Sequence, residues 1–337
     1  MTHRASENSQ CRYDVIVVGA GPAGASAARI LVNAGMSVLV VESRKLPRYK
    51  ICSGLIIERS QTMIDETFGT PPEEVFCSPA RLKGARICLA GDAIMDVPDE
   101  GRPTWSVWRS AFDHWLIRQS GAHVLDGHRL ISLSQSGSTV QASVRRPDRG
   151  LKQIEASYLI GADGGRSQVR DLLDPSFTCS IQWAAYSQVY CKASIDLDRD
   201  YYYMFFDPSL RSFYTWLNFK DEHLVYGVGA PRNQSVRSYF RDATEYLKKN
   251  FGLELHEIVR TTGCIGTDMG INSSFLLGRG RILLAGEAAG FVNMFGEGIS
   301  SALATGIKAG EALSRATASG TDALPLYQEL CAKEERY

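Results

Sequence analysis

The chain has 337 residues, and its 37 Lys and Arg balance 37 Asp and Glu, so the formal net charge is zero. That balance lacks the clustered basic excess of a nucleic-acid footprint, while 44% hydrophobic residues over this length suit two or so domains. Apolar runs such as Val15–Val18 and Val38–Val41 are strand-sized, and none approaches the roughly 20 residues of a membrane-spanning helix.

Residues 1–12 are polar, lack the apolar core of a secretory signal and read as a short disordered lead-in. From Asp14 to Glu42 the pattern is strand, glycine turn, helix, strand. Val15–Val18 is the continuous apolar run of a buried parallel strand. Pro22–Ala34 carries small residues at helical spacing with Gly35 as its stop, and residues 37–41 form the second strand. Residues 43–70 read as irregular and then helical, and residues 75–97 as strands with apolar positions at Ala85, Ile87, Leu89 and Ile94. A helix is predicted over 109–120, then strands over 128–133 and 139–144, a turn at Pro147–Gly150, and a short strand Tyr158–Ile160 that runs into a glycine-rich loop.

Residues 181–265 change character. Aromatic residues favourable to strands (Tyr186, Tyr190, Tyr201, Tyr202, Tyr203, Phe205 and others) predict a mostly antiparallel sheet with one apolar face, plus a helix over 235–250. Residues 282–285 return to the buried-strand pattern, and a small-residue helix follows over 298–316. A dinucleotide domain interrupted by a β-rich insertion fits this order.

Gly19-Ala20-Gly21-Pro22-Ala23-Gly24 is a G-x-G-x-x-G set after a strand and before a helix. Gly19 permits the tight turn, Gly21 lets backbone approach a pyrophosphate, and Gly24 lets helix pack on strand. Ala23 lies in the first helical turn, whose free N–H groups attract an anion. Glu42 ends the second strand, where a carboxylate accepts hydrogen bonds from a ribose diol. An unphosphorylated ribose, as in FAD or NAD, suits it better than NADP.

The later segments carry a resemblance. From Asp14 to about Leu313 the chain resembles FAD-dependent oxidoreductases of the p-hydroxybenzoate hydroxylase-like superfamily, and within it the geranylgeranyl reductase branch. Tyr158–Ser167 resembles the second fingerprint, whose Asp163 and following glycine brace the FAD region. Arg281–Phe291 resembles the third, in which Gly286 and the carboxylate at Glu287 meet the ribityl chain; most relatives have Asp there. Gly298 and Ile299 open the next helix, and the resemblance makes their backbone the contact for the flavin's N1–C2=O edge. The preceding Asn293-Met294-Phe295-Gly296 lacks the relatives' proline and is one residue shorter. Val107–Asp113 resembles the segment whose arginine, here Arg109, reaches FAD. Lys50–Leu55 resembles the reductase branch's loop, with Cys52 and Ser53 near the flavin. Leu130 matches a position whose backbone meets adenine. Phe213–Lys220 resembles the aromatic strand of prenyl reductases, with Tyr214 and Trp216 alternating onto one face.

The resemblance implies an FAD/NAD(P)-binding Rossmann-like three-layer domain with an inserted antiparallel β-sheet substrate domain. The expected FAD-binding segments are residues 1–74, 100–180 and 266–320, the substrate domain 75–99 and 181–265, and a C-terminal tail or helix 321–337. The expected activity is reduction of an apolar, isoprenoid-like C=C bond by reduced FAD, with Cys52, Tyr214 and Trp216 lining the pocket. A monooxygenase acting on an aromatic substrate is the alternative, followed by a halogenase or a non-enzymatic flavin redox sensor. No second G-x-G-x-x-G is present, so electrons are expected from a transiently bound NAD(P)H or from a protein donor. The dispersed histidines sit with no recognisable nucleophile. Eight cysteines, none in a CxxC pair or with zinc spacing, fit a reduced cytoplasmic protein with mostly buried thiols and no metal centre. An apolar cleft mouth leaves peripheral membrane contact open.

Overall fold

The computed structural model describes residues 12–89, 94–98, 101–210, 212, 215–267, 275–293 and 296–334. The chain divides into two compact units. Residues 12–46, 116–180 and 275–334 belong to the first, and the described parts of 47–115 and 181–272 to the second.

In chain order, β1 (Arg12–Val18), α1 (Pro22–Asn33) and β2 (Val38–Glu42) begin the first unit. The chain then builds β3 (Leu55–Ile56), α2 (Glu58–Phe68), β4 (Phe76–Leu82), β5 (Gly84–Leu89), β6 (Ile94–Pro98), β7 (Thr104–Val107) and the opening turns of α3 (Arg109–Gln119). The first unit resumes with β8 (His123–Asp126), β9 (Arg129–Ser136), β10 (Thr139–Arg145), β11 (Leu151–Gly161), α4 (Gln168–Leu173) and α5 (Pro175–Ser180). The second continues through β12 (Trp183–Ser194), β13 (Tyr201–Phe206), β14 (Thr215–Lys220), β15 (His223–Pro231), α6 (Val236–Phe251) and β16 (Glu254–Thr267). The chain returns to the first in β17 (Gly278–Arg279), β18 (Ile282–Leu284), α7 (Ile299–Ser319) and α8 (Ala323–Cys331).

The sheet of the first unit runs β17-β18-β11-β1-β2-β8, with β9 and β10 attached as an antiparallel ribbon on β11. From β18 to β8 every pairing is parallel. Val15, Ile16 and Val17 are fully buried at its centre, as continuous apolar strands require. Helices α1 and α7 pack backbone to backbone, because a Cβ on Gly306 would overlap Ala23 O and one on Gly310 would crowd Ile30. At the far end of β18 the Tyr327 hydroxyl of α8 donates to Leu284 O at 2.8 Å.

The second unit holds a seven-stranded sheet, β16-β12-β15-β14-β13-β5-β6, antiparallel except between β13 and β5. One face packs under α6, with Tyr203, Phe205, Leu217, Phe219, Leu224, Tyr226 and Val228 in the core. Strand alternation sends Tyr202, Met204, Trp216, Asn218 and Lys220 to the other face. A small sheet, β3-β7-β4, completes this unit. Residues 47–74 and 101–115, grouped above with the FAD-binding segments, here pack with the β-rich unit, because β7 joins β3 and β4. No described helix is long and apolar enough to cross a membrane.

Candidate functional site

In the first unit the glycine turn is set by what surrounds it. Gly19 has φ +108° and would overlap Ala162 O if it carried a Cβ. A Cβ on Gly24 would overlap Gly19 O, so the start of α1 closes directly over the end of β1. Gly21 is the N-cap of α1 and offers no side-chain bond to the first turn, where Ala23 is buried. Those N–H groups carry the positive end of the helix. Glu42 is 5% exposed; its carboxylate accepts from Ala20 N at 3.1 Å and from Arg44 N at 2.9 Å. The tip of β2 thus lies against the turn. Glu42 O also accepts from His128 N, two residues before the buried Leu130. The cradle and the uncapped helix start fit a diphosphate, and the acid beside them fits a ribose.

Asp163 follows β11. It accepts from the Ser167 hydroxyl, Gln168 N and Val169 N, which makes it the anchor of the α4 start. Burial pushes its carboxyl up to about 6 even against those bonds. Gly286 has φ +62° and sits against Ala23 and Ala302, with its N–H on the Thr305 hydroxyl at 2.8 Å. The Glu287 side chain fills the space where a Cβ on Gly165 would lie, which brings the second and third fingerprints into contact. Arg170, missed in the sequence, binds the same junction. It is fully buried, and its guanidinium donates to the carbonyls of Gly165, Glu287 and Ala288. Gly298 caps α7, whose first turn is shared: Glu297 Oε1 accepts from Ser300 N at 2.8 Å, next to Ile299. Asn293 Oδ1 accepts from Glu297 N at 2.9 Å.

In the second unit the Cys52–Gly54 loop is clamped to β14. Asn218 Nδ2 donates to Ser53 O at 3.4 Å, Lys220 Nζ donates to Val107 O at 2.8 Å, and Val107 N donates to Gly54 O at 2.9 Å. Gly54 has φ +73°, and a Cβ there would overlap both Val107 O and Lys220 Nζ. The Tyr202 hydroxyl bonds the Ser53 side chain. Cys52 Sγ accepts from Gly54 N at 3.3 Å and also meets Arg109. Arg109 is 8% exposed and forms a bidentate pair with Asp113, which Arg48 joins at 2.9 Å. Burial alone would raise the Asp113 carboxyl, but Arg109 and Arg48 overcome it and hold it below the usual carboxylate range. Burial lowers the Lys220 ammonium from its ordinary value. That cation lies 5.0 Å over the Trp108 ring, which stacks on Tyr190 with centroids 5.7 Å apart.

Trp216 is 5% exposed and donates from Nε1 to Gln188 Oε1 at 3.3 Å, while Gln188 Nε2 donates to the Tyr190 hydroxyl at 2.7 Å. The Tyr49 hydroxyl adds a bond to Tyr190 at 3.2 Å. Tyr214 lies outside the described residues, as do Met294 and Phe295.

A family profile described as FAD binding domain matches residues 12–67 and 114–324. The chain belongs to that FAD binding domain family. It is 28% identical over 319 residues to the geranylgeranyl diphosphate reductase of Rhodobacter capsulatus, covering 93% of this chain and 78% of that protein. It is 27% identical over 302 residues to the protein CbrA of Escherichia coli K12, covering 86% and 81%. The fold is similar to that of a geranylgeranyl bacteriochlorophyll reductase-like protein from Thermoplasma acidophilum, with TM-score 0.81, 20% identity and coverage of 96% and 83%. The flavin-dependent brominase Bmp2 shares it at TM-score 0.72, 19% identity and coverage of 96% and 84%.

The expected p-hydroxybenzoate hydroxylase-like architecture and FAD cofactor therefore stand, as does the class of FAD-dependent oxidoreductase. Within this FAD binding domain protein, Gly19, Gly21, Ala23, Gly24, Glu42, Asp163, Gly286 and Glu287 converge in the first unit, with Gly298 and Ile299 at the start of α7 beside them in sequence. Cys52, Ser53, Arg109 and Trp216 belong to the second. Sequence reasoning missed Arg170, Asn218, Lys220, Gln188 and Asp113. The four-residue spacing from Arg109 to Asp113 was a usable signal.

Proposed function

We propose that this FAD-dependent oxidoreductase is a reductase of an apolar, isoprenoid-like C=C bond. The observation that carries the reading is the tie between Ser53 O and Asn218 Nδ2. It sets side by side the two segments that resemble the geranylgeranyl reductase branch, the Cys52 loop and the Trp216 strand. The 28% identical relative named geranylgeranyl diphosphate reductase supports the same choice.

When bound, FAD supplies the hydride. In this reading the first-turn N–H groups of α1 hold the diphosphate and Glu42 holds the adenosine ribose, with Leu130 backbone at the adenine. Glu287, against Gly165 and next to Gly286, would accept from the ribityl chain, Asp163 would brace that region, and the Gly298 and Ile299 N–H groups would hold the ring edge. Arg109, fixed by Asp113, steadies the Cys52–Ser53 loop, and Cys52, Tyr214 and Trp216 shape the substrate pocket. NAD(P)H or a protein donor delivers the electrons, and the working compartment is the cytoplasm.

The test is anaerobic turnover. The flavin is reduced with dithionite and mixed with a prenyl alcohol, and the saturated product is sought by mass spectrometry. A second reading, hydroxylation of an aromatic substrate, draws on the polar Trp216–Gln188–Tyr190–Tyr49 chain, which suits a ring bearing hydroxyls. Product carrying label from isotopic oxygen, with no saturated prenyl product under anaerobic conditions, would overturn the reductase in its favour.

A further inference from the structure

In the first unit the ribbon β9-β10-β11 ends in a basic tip. Between Gly127 and Lys152 the chain carries Arg129, Arg145, Arg146, Arg149 and Lys152 against the single acid Asp148, in a protein whose total charge is zero. Lys45 joins them, because its side chain and Pro147 of the β10–β11 turn both lie beside Gly127. Arg146 is paired with Asp148 at 2.9 Å and Lys45 with Asp126 at 2.8 Å. Among the described residues no carboxylate lies in ion-pair range of Arg129, Arg145 or Arg149, and all three are exposed.

Two features of this tip work against the fold. Arg129 pairs directly with Arg145 across β9 and β10, and like charges set opposite each other are destabilising. Arg149 holds φ +68°, left-handed backbone that glycine adopts freely and a residue with a side chain adopts under strain. Leu151 extends the row, since it is the partner of Arg145 on β11. Directly opposed residues share a face, so two guanidiniums and Leu151 stand in one outward line about 10 Å long. Leu130 and Val144, their neighbours in sequence, are buried, whereas Leu151 is 60% exposed.

We infer that this tip, Arg129, Arg145, Arg149 and Leu151 with Lys45 and Arg146 beside them, docks on the surface of an anionic phospholipid bilayer. Uncompensated guanidiniums match lipid phosphates, and an aliphatic side chain among cations is placed to enter the boundary between headgroups and acyl chains. A nucleic-acid backbone or a free phosphate would engage the arginines and leave Leu151 in water. An acidic protein would need about 20 residues a side, more than the tip of one hairpin presents. A cytoplasmic leaflet supplies the opposite charge. The inference goes beyond the proposed reductase and does not depend on it, because none of these residues is assigned to flavin or substrate.

The experiment sediments FAD-loaded protein with phosphatidylcholine vesicles that contain or lack phosphatidylglycerol, at low and high salt. Binding is expected with the anionic vesicles only and is expected to fall as salt rises. One cation near an anionic surface is worth about fivefold in partitioning, so Arg145→Ser and Arg149→Gly should each weaken binding about fivefold and the double variant about thirtyfold. Arg149→Gly relieves the left-handed position, so its Tm should be kept, which separates docking from folding. Leu151→Ser should weaken binding at both salt concentrations. Arg315→Ser, which removes the same charge from α7, is the control and should bind as wild type does. No binding to anionic vesicles at low salt, equal binding to neutral vesicles, or undiminished binding by the double variant would each overturn the inference. Heparin binding that the double variant weakens, with no binding to vesicles, would assign the tip to a soluble polyanion and overturn it as well.

Discussion

Arg170 ties the second and third fingerprints of the first unit together. Its charge is buried and answered by carbonyls of two fingerprints, one of them at Glu287, 117 residues along the chain from Arg170. Arg170→Met keeps volume but leaves those oxygens without their donor, at a cost of about 3–5 kcal/mol. Urea unfolding of the apo-protein checks this, and the variant is expected to purify with less bound FAD. Asp163 supplies a pH signature. Its folded pKa of about 6 exceeds the unfolded value of about 3.9, so the folded state binds the proton more tightly. Its contribution is complete below about pH 3.9 and is lost as pH rises through about 6. Apo-protein stability measured across that window should fall less steeply in Asp163→Asn than in wild type.

The pairing of α1 with α7 makes an element-scale prediction. Gly306→Val would thrust a branched side chain into the backbone at Ala23, and overpacking of this kind costs about 1–3 kcal/mol. A lower Tm with reduced FAD content is expected, measured by thermal unfolding and the visible absorption of the flavin. Elements of this sort were readable in advance because their signals are local. Val15–Val18, the glycine turn and Glu42 occupy one βαβ stretch, and the helix expected over 235–250 spans Val236–Phe251. The clamp on the Cys52 loop was not readable, since Asn218 and Lys220 meet residues 53 and 107 only after β14 has found its sheet. A hint was present nonetheless: in Trp216-Leu217-Asn218-Phe219-Lys220 the polar residues recur every second position and mark a face that differs from the apolar core. Arg170 gave no such hint, because its partners are backbone carbonyls, which any sequence would supply.

Across the whole molecule, the thiols differ in both access and acidity. Cys179 is exposed, while burial pushes the Cys88 and Cys191 thiols up to about 11. Iodoacetamide at about pH 8 should therefore label Cys179 promptly and spare Cys88 and Cys191 until the protein is unfolded, since the thiolate is the reactive form. Peptide mass mapping reads the order directly, and early labelling of Cys88 would contradict the packing of the second unit. The way the chain shares itself between units was the least legible property. Residues 47–74 follow the first fingerprint in sequence yet pack with the β-rich unit, through pairings of β3, β4 and β7 that no local pattern announces.

The strand order β18-β11-β1-β2 places the last-made parallel strand beside β11, which itself neighbours the first-made. A nascent polypeptide emerging from the ribosome thus displays its glycine turn long before Ile282–Leu284, the carbonyls for Arg170 and the companion helix of α1 exist. Cofactor loading must wait until β18 and α7 have been made, and chains cut short ahead of β18 should accumulate without yellow colour.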